Sequence, residues 1–314
     1  MSPQSSVLYD APGPRTRRRT TVAAVLIGVL LLVGAYYLVY RPLEANGQFT
    51  ALKWGPLVDP DDPNLSLVWE RIRLGIIATL TAAALAIVCS LLAGTLLAIA
   101  RMLLKEQAKR RYAGMPAAAA YTLRGLNTAL RGITRFCVEV FRGLPVLVTI
   151  FFAWRISGIS DPLWPLVIGL SIYNSVVIAE IIRSGMEGLP RGQREAADSL
   201  GLTPFQAILL VQLPQAFRIM LPALISQLVV ILKDTTLGYI ITYEDILAVA
   251  QQMIQILQNP IQMYTIIGAM FIAINYALSQ LAGYVQRRVS RVRAHKPATP
   301  AAAPAANEPV VLDA

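Results

Sequence analysis

The chain has 314 residues, of which 55% are hydrophobic and 15% charged, and its mean hydropathy is +0.55. An ordinary soluble domain carries about 25% charged residues, so this composition excludes one and indicates a protein with several membrane spans. The net charge is +10, but the basic residues lie at the ends of apolar blocks, where they act as topology signals, and we expect no nucleic-acid partner. His295, the single histidine, lies in the tail, which argues against a histidine metal site or a Ser-His-Asp triad.

Six apolar runs are long enough to cross a membrane and are predicted to form spanning helices. The first, Val22–Val39, follows the basic segment RTRRRT, and we interpret it as a retained span because no small-residue cleavage site follows it. The second is longer than the bilayer core requires, which predicts tilt or a protruding end. The other five runs are Leu74–Ala100, Val138–Trp154, Leu163–Ile182, Ile219–Thr242 and Tyr264–Val285.

The segments between these runs differ in basic residues. Arginine and lysine cluster in 1–21, 101–135, 183–218 and 286–314. They are sparse near the spans in 41–70, 156–162 and 243–262. Because basic loops tend to stay in the cytoplasm, both termini and the loop after the fourth span are predicted to be cytoplasmic.

The predicted architecture is an all-α integral membrane protein with six spans, a five-helix core plus one N-terminal helix. The Pro/Ser-rich basic segment 1–21 is predicted to be disordered, and 22–70 to hold the first span and an external loop. The core occupies 71–290. The Ala/Pro-rich tail, 291–314, is predicted to be disordered.

The polar stretch GQREAADSLGLTP (192–204) stands out between the fourth and fifth spans. Its first part favours a helix, and Gly201 can adopt the left-handed conformation that ends one. Thr203, Pro204 and Gln206 have the spacing of a capping box, which predicts that a second short helix begins there. The segment LPQAF (213–217) is predicted to break that second helix before the fifth span. The alternative is a solvated connecting loop.

The order of residues in this stretch resembles the coupling motif of ABC-importer permeases. That motif is E-A-A, three residues, G, nine residues, I, one residue, L-P; here Glu195-Ala196-Ala197, Gly201 and Val211-Gln212-Leu213-Pro214 match it, with Val for Ile. Three further segments resemble the polar amino acid permeases, over about 70–290 of the chain. They are EVFRGLPVLV (139–148), with Leu144 where Thr is usual, AEIIRSGMEGLPRGQREAADSLGL (179–202) and ILKDTTL (231–237).

The resemblance implies a permease subunit of an ATP-driven importer of the glutamate/histidine type, in a prokaryotic cell membrane. Its partners are then a cytoplasmic ATPase dimer, a second identical or homologous permease subunit and an external amino-acid-binding protein. The chain lacks a G-x-x-x-x-G-K-[ST] phosphate loop, so ATP and Mg²⁺ are expected on the ATPase and no cofactor on this chain. Glutamate is the expected cargo. The coupling loop is 184–216, and the residues expected to couple to the ATPase are Gln193, Glu195, Ala196, Ala197, Asp198, Gly201, Leu213 and Pro214.

Ionisable residues inside the spans each need a physical reason, because a charged side chain at the bilayer centre costs about 2.5–3.5 kcal/mol. Lys233 and Asp234 lie in the predicted fifth span. They either bond to neighbouring helices or line the cargo path, where an α-amino acid brings both charges. The other candidates for the cargo path are Asn174, Glu180, Thr235 and Thr236.

Two acid–base pairs have a three-residue spacing near predicted helix ends. Glu139 precedes Arg142, and Glu180 precedes Arg183. Side chains three apart on a helix are neighbours, so both are expected to form structural ion pairs. The segment RGLP (142–145) is predicted to break or start the third span.

Two other classes of function are alternatives to a permease. A secondary transporter driven by an ion gradient needs no ATPase-docking loop and often shows paired repeats with broken helices, and the chain has no second copy of the EAA stretch. An integral membrane enzyme needs a reactive constellation near the membrane surface. The single tail histidine and the absence of clustered carboxylates in the sequence argue against one.

Overall fold

The structure is a computed structural model that describes residues 13–109 and 115–291. Within these ranges the regular structure is entirely helical. Arg110 and Arg111 of the basic loop, most of the predicted disordered N-terminus and all of the tail except Arg291 lie outside the described residues. The ten helices that we number here are α1 (Pro14–Ala45), α2 (Ala51–Val58), α3 (Leu65–Ala108), α4 (Ala117–Gly143), α5 (Val146–Ser157), α6 (Leu163–Glu187), α7 (Arg191–Ser199), α8 (Pro204–Ile241), α9 (Ile246–Leu257) and α10 (Pro260–Arg291).

Five helices of the described residues, α1, α3, α6, α8 and α10, are long and apolar enough to cross a membrane, and α4 with α5 forms a bent pair that adds a sixth candidate. The prediction of six spans is therefore confirmed at the level of span candidates. The first helix begins at Pro14, inside the segment predicted to be disordered, because proline is well tolerated in the first turn and the following residues up to Ala24 contain no glycine or proline.

The chain divides into two compact units. The first holds the described part of Met1–Ala84, with Ile150–Leu166 and Asp234–Ala273. Its core is formed by buried side chains of α2, the first turns of α3, α9 and the start of α10. The largest of them are Leu57, Ile72, Ile246 and Met263, each almost completely excluded from solvent.

The predicted external loop, 41–70, contains more structure than the turn residues indicated. Helix α2 forms within it, and Leu57 of α2 joins the core of the first unit. The indole Nε1 of Trp69 donates a hydrogen bond to the carbonyl oxygen of Leu57 at 3.0 Å, and Asn259 Nδ2 donates to that of Lys53 at 3.1 Å. A buried apolar side chain and two side-chain donors therefore hold the segment predicted as an external loop against α3 and the chain before α10.

The second unit comprises Leu85–Thr149, Val167–Lys233 and the described part of Ile274–Ala314. Small residues bring its helices close together. A Cβ on Gly94 of α3 would lie 2.7 Å from Ile178 Cγ2, and one on Gly185 of α6 would lie 2.5 Å from Met220 Cγ. Both glycines are therefore required for the close approach of backbones, as is usual between membrane helices.

The predicted third span, Val138–Trp154, is not one straight helix. Helix α4 ends at Gly143, α5 begins at Val146, and the two are bent by 108°. Pro145 cannot donate a backbone hydrogen bond and disfavours helical geometry at Leu144, which is extended with ψ 137°. The break predicted at RGLP is confirmed, and it falls inside the segment predicted as the third span.

The break predicted at LPQAF does not occur. The chain remains helical from Pro204 to Ile241. A π-helical segment, Ala207–Gln212, precedes Leu213, whose N–H donates to the carbonyl of Ile208, five residues back. Pro214 has no N–H group with which to continue the α-helical hydrogen bonds. We attribute the continuity of the helix through Pro214 to the wider π-helical turn before it, in which the α-helical hydrogen-bond pattern is already interrupted.

Candidate functional site

The segment with the coupling-motif residues folds as its local sequence predicts. Helix α7 covers Arg191–Ser199, and Gly201 follows it with φ +73°, in the left-handed region. The N–H of Leu202 donates to the carbonyl of Ala197 at 3.2 Å, which satisfies the end of the helix. Thr203 and Gln206 form the predicted capping box at the start of α8. The predicted short helix, the glycine and the cap are all confirmed.

The motif residues of α7 lie on two different faces. Ala197 is buried, whereas Gln193, Glu195, Ala196 and Asp198 are exposed. Exposed apolar side chains adjoin the acidic face, since Leu200 is 80% exposed and Phe205 is 50% exposed. At the start of α8's α-helical part, Leu213 is buried and Pro214 is exposed. The result is one short helix with a packed side and an open side of mixed acidic and apolar character.

Two polar contacts hold α7 to longer helices of the second unit. Arg194 Nη2 lies 3.3 Å from Glu106 Oε2 on α3, and Arg194 Nε lies 3.0 Å from Asp198 Oδ1 on α7 itself. Gln215 Nε2 on α8 donates to Gln193 Oε1 at 3.0 Å. The open face of α7 is therefore presented on a helix that is attached to both α3 and α8. We call the contact between Arg194 and Glu106 the α7–α3 latch.

An ionic cluster joins α3 to α6 close to the latch. Arg101 Nη1 of α3 donates to Glu180 Oε2 at 2.8 Å, and Lys105 Nζ donates to Glu187 Oε1 at 2.6 Å. Arg183 Nε also donates to Glu180 Oε2, at 3.1 Å, and its guanidinium pairs with Glu187 as well. The predicted pairing of Glu180 with Arg183 is thus present, and Glu180 has a second guanidinium partner that the sequence did not indicate.

The predicted pairing of Glu139 with Arg142 is absent, because no salt bridge within 4 Å joins these residues in the described part of the chain. The two side chains line different cavities. Glu139 faces a cavity of about 680 Å³ with Arg131 and Arg135 of its own helix. Arg142 lies in the last turn of α4, next to the break, and faces a cavity of about 500 Å³.

The cavity at Arg142 is an open cleft of the second unit, lined by α4, α6 and α8. Its polar lining comes from Arg142, Tyr173, Glu180 and Ser184, and Val177, Ile181, Met220 and Ala223 complete it. Glu180 already contacts two guanidinium groups, whereas Arg142 has no salt bridge among the described residues. The lining thus carries one positive and one negative side chain, and of these two Arg142 is the one without an ion pair in the described part of the chain.

Asn174, which was also predicted to line the cargo path, lies elsewhere in the second unit. Asn174 is fully buried, and its amide donates to the carbonyl of Leu170 and accepts from Gln227 Nε2 at 2.7 Å. It joins α6 to α8 and does not line the Arg142 cavity.

The KDTT segment lies where α8 changes from α-helical to 3₁₀ geometry. Lys233 and Asp234 are the last α-helical residues, and Thr235 and Thr236 begin the 3₁₀ segment. Lys233 is exposed, Asp234 and Thr236 are half-buried, and Thr235 is fully buried.

Comparison with known protein families identifies the family of this chain. The model of the binding-protein-dependent transport system inner membrane component matches residues 112–291, more than half of the chain. The chain belongs to this family. It is a membrane permease component of the ABC-importer class, as the resemblance of the coupling motif implied, and its homologues are transport subunits rather than enzymes.

Curated relatives extend the similarity beyond that region. The chain is 32% identical over 265 residues to the glutamate transport system permease protein GluD of Corynebacterium glutamicum, covering 81% of this chain and 86% of that one. It is 31% identical over 240 residues to the probable glutamine ABC transporter permease protein GlnP of Bacillus subtilis, covering 72% and 94%.

Solved structures agree with the fold. A crystal structure of an amino acid ABC transporter with histidines matches with a TM-score of 0.55 and 27% identity, over 71% of this chain and 97% of that one. An inward-facing MetNI methionine ABC transporter matches with a TM-score of 0.55 at 20% identity, over 73% and 100%, which supports the fold alone.

Proposed function

We propose that this chain is the membrane-pathway subunit of an ABC importer for a polar amino acid, with glutamate as the favoured cargo. The single observation that carries the proposal is the α7 segment: an EAA helix with one buried and one open face, ended by a left-handed Gly201 and followed by a capped second helix. The segment supports docking into an ATPase, because its polar, small-residue face is open to a partner while its other contacts fix it to the spans.

The arrangement of partners follows from the family and the distribution of charge. The positive-inside pattern supports both termini and α7 in the cytoplasm, where an ATPase dimer binds ATP and Mg²⁺. A second permease subunit completes the pathway, and an external binding protein delivers the cargo. Nothing in this chain supplies a phosphate-binding loop, so the energy source is external to it.

The preference for an acidic amino acid rests on the Arg142 cavity. Its volume of about 500 Å³ is sufficient for a small solute, and it combines a guanidinium with the hydroxyls of Tyr173 and Ser184. Arginine binds carboxylates with paired, charge-assisted hydrogen bonds. The names of the glutamate permease relatives support the same cargo. We assign Arg142 to the cargo carboxylate, beside the earlier candidates Lys233, Asp234, Thr235 and Thr236.

The test is uptake of radiolabelled glutamate into proteoliposomes that contain this chain, its partner subunits and the binding protein, with unlabelled amino acids as competitors. We expect uptake that requires ATP hydrolysis and is inhibited most by glutamate. Uptake that continues with an ion gradient and no ATP would instead indicate a secondary transporter.

Variants separate coupling from cargo recognition. Glu195→Lys or Gly201→Asp is expected to abolish uptake while the chain remains inserted. Arg142→Gln and Lys233→Met are expected to raise the glutamate concentration needed for half-maximal uptake while ATP-dependent coupling is retained. Wild-type uptake in Glu195→Lys would contradict the docking role, and unchanged glutamate affinity in Arg142→Gln would contradict the assignment of the cavity.

A further inference from the structure

Helix α4 presents a continuous apolar stripe that no element of the described chain covers. The stripe repeats at intervals of three and four residues, which places its members on one side of a helix. Leu126 is 58% exposed and Ile133 is 60% exposed. The complete stripe consists of Leu123, Leu126, Leu130, Ile133, Cys137 and Val140, all of which are exposed, and Phe136 lies at its edge.

The opposite side of α4 is charged. Thr128, Arg131, Arg135 and Glu139 line the cavity of about 680 Å³ that the ends of α3 and α6 complete with Lys105, Glu187 and their neighbours. Arg124 and Arg142 share this angular sector, since they lie seven residues from Arg131 and Arg135 and seven residues move by about 20° around a helix. The polar face therefore adjoins the part of the second unit that carries the α7–α3 latch.

Neither pure hydrocarbon nor pure water suits a helix with these two faces. Each arginine at the bilayer centre costs about 2.5–3.5 kcal/mol on insertion scales, and α4 carries four arginines and Glu139. The apolar stripe, conversely, would expose six hydrophobic side chains to water. The bend of 108° between α4 and the apolar α5 allows α5 to enter the membrane while α4 does not follow it.

We propose that α4 lies in the plane of the membrane, with its apolar stripe buried in the headgroup–acyl boundary of the leaflet on the α7 side. Amphipathic helices of this kind bury their apolar face about 5–10 Å into that boundary. The lipid surface is the partner that fits, because it offers hydrocarbon to one face and water to the other. A second permease subunit or an ATPase covering the stripe is the competing possibility, and it predicts a different outcome below.

Spin labels at three stripe positions test the orientation. Leu126→Cys, Ile133→Cys and Val140→Cys are made singly in a chain with Cys89→Ser and Cys137→Ser, and the complex is reconstituted in vesicles of phosphatidylcholine and phosphatidylglycerol. The ratio of oxygen to nickel-chelate accessibility gives the depth of each label. Positions 126 and 140 are about 21 Å apart along the helix axis. We expect all three depths to agree within about 5 Å and to lie about 5–10 Å below the phosphates.

Two controls accompany the measurement. Labels at Leu80→Cys and Leu92→Cys on the spanning helix α3 should differ by up to about 18 Å in depth, depending on tilt, which shows that the method resolves a span. A label at Thr128→Cys, on the polar face of α4, should be accessible to the nickel chelate and therefore to water.

Two outcomes would overturn the proposal. A depth that changes steadily from 126 to 140 by more than about 10 Å would make α4 part of a tilted span. Low accessibility to both reagents at all three positions would show that protein covers the stripe.

A second measurement avoids new cysteines. A fluorophore on the native Cys137 in the Cys89→Ser chain should be quenched more strongly by lipids brominated near the headgroup than by lipids brominated near the end of the acyl chain. The reverse order would also reject an in-plane helix.

Discussion

Reversing the charge of Glu106 tests whether the α7–α3 latch transmits movement of the coupling helix. Glu106 Oε2 lies 3.3 Å from Arg194 Nη2, and the two side chains are 14% and 22% exposed. Coulomb's law at an effective dielectric constant of about 20 gives an upper limit of about 5 kcal/mol for the attraction between these two charges. Exposed salt bridges contribute about 0.2–1 kcal/mol, and breaking a buried one costs about 3–5 kcal/mol. For this partly exposed salt bridge we expect its loss to cost about 2 kcal/mol, which lowers the population of the state with α7 attached to α3 by about 30-fold.

The assay is the ratio of glutamate transported to ATP hydrolysed in proteoliposomes. In Glu106→Arg, ATP hydrolysis should continue while the ratio falls several-fold, because α7 still docks but no longer pulls α3. The double variant Glu106→Arg with Arg194→Glu should recover part of the ratio. Recovery should be incomplete, since Arg194 also bonds to Asp198. The control is Lys109→Glu: Lys109 binds the same carboxylate at 2.9 Å from within α3 and is 64% exposed, so its reversal should have little effect. A wild-type ratio in Glu106→Arg, or an equal loss in Lys109→Glu, would refute the latch.

Three further predictions concern stability. Gly94→Ala should destabilise the protein by about 1–3 kcal/mol, because the new Cβ meets Ile178 at 2.7 Å; thermal unfolding should show this, while Gly125→Ala, with nothing within 4 Å, should not. Thr203→Ala should weaken the cap of α8 by about 1 kcal/mol and increase hydrogen exchange there. Burial raises the pKa of Asp245 from 3.8 to about 6, so its stabilising contribution is complete below pH 3.8 and lost as the pH rises through 6; the melting temperature of Asp245→Asn should change less over this range.

Features that depend on neighbouring residues in sequence were predictable. The end of α7 at Gly201 follows from the backbone freedom of glycine, and the start of α8 follows from hydrogen bonds between Thr203 and Gln206, three residues apart. The break at RGLP follows from Pro145 in the same way. These signals act over one helical turn, so no knowledge of the tertiary structure was needed to interpret them.

The contacts that join helices were not predictable from one sequence. Arg101 and Glu180 are 79 residues apart, and Lys105 and Glu187 are 82 residues apart. Three-residue spacing favoured Glu139 and Arg142 equally with Glu180 and Arg183, yet only the second pair forms. The difference lies in which cavity each side chain faces, and that depends on the packing of α3, α6 and α8.

The amphipathic pattern of α4 is present in the sequence, but it becomes visible only with the helix bounds Ala117–Gly143. A span placed at Val138–Trp154 joins the end of an amphipathic helix to the start of an apolar one. Over Ala117–Gly143 alone, apolar residues recur every three or four positions and arginines occupy the opposite side. This periodicity is that of an amphipathic helix and not of a uniformly apolar span, and Leu144 and Pro145 mark where it ends.

If α7 docks to an ATPase as proposed, its two attachments provide a route by which ATPase movement reaches the proposed cargo cavity. Arg194 attaches α7 to Glu106 of α3. One and five residues before Glu106, the ionic cluster continues through Lys105 and Arg101 to Glu187 and Glu180 of α6. Glu180 also lines the Arg142 cavity. A displacement of α7 therefore reaches a cavity wall through contiguous charged contacts, whereas the closed capping box at Thr203 keeps the start of α8 rigid. Loss of the latch should accordingly impair cargo release per ATP while leaving glutamate binding to the resting complex unchanged.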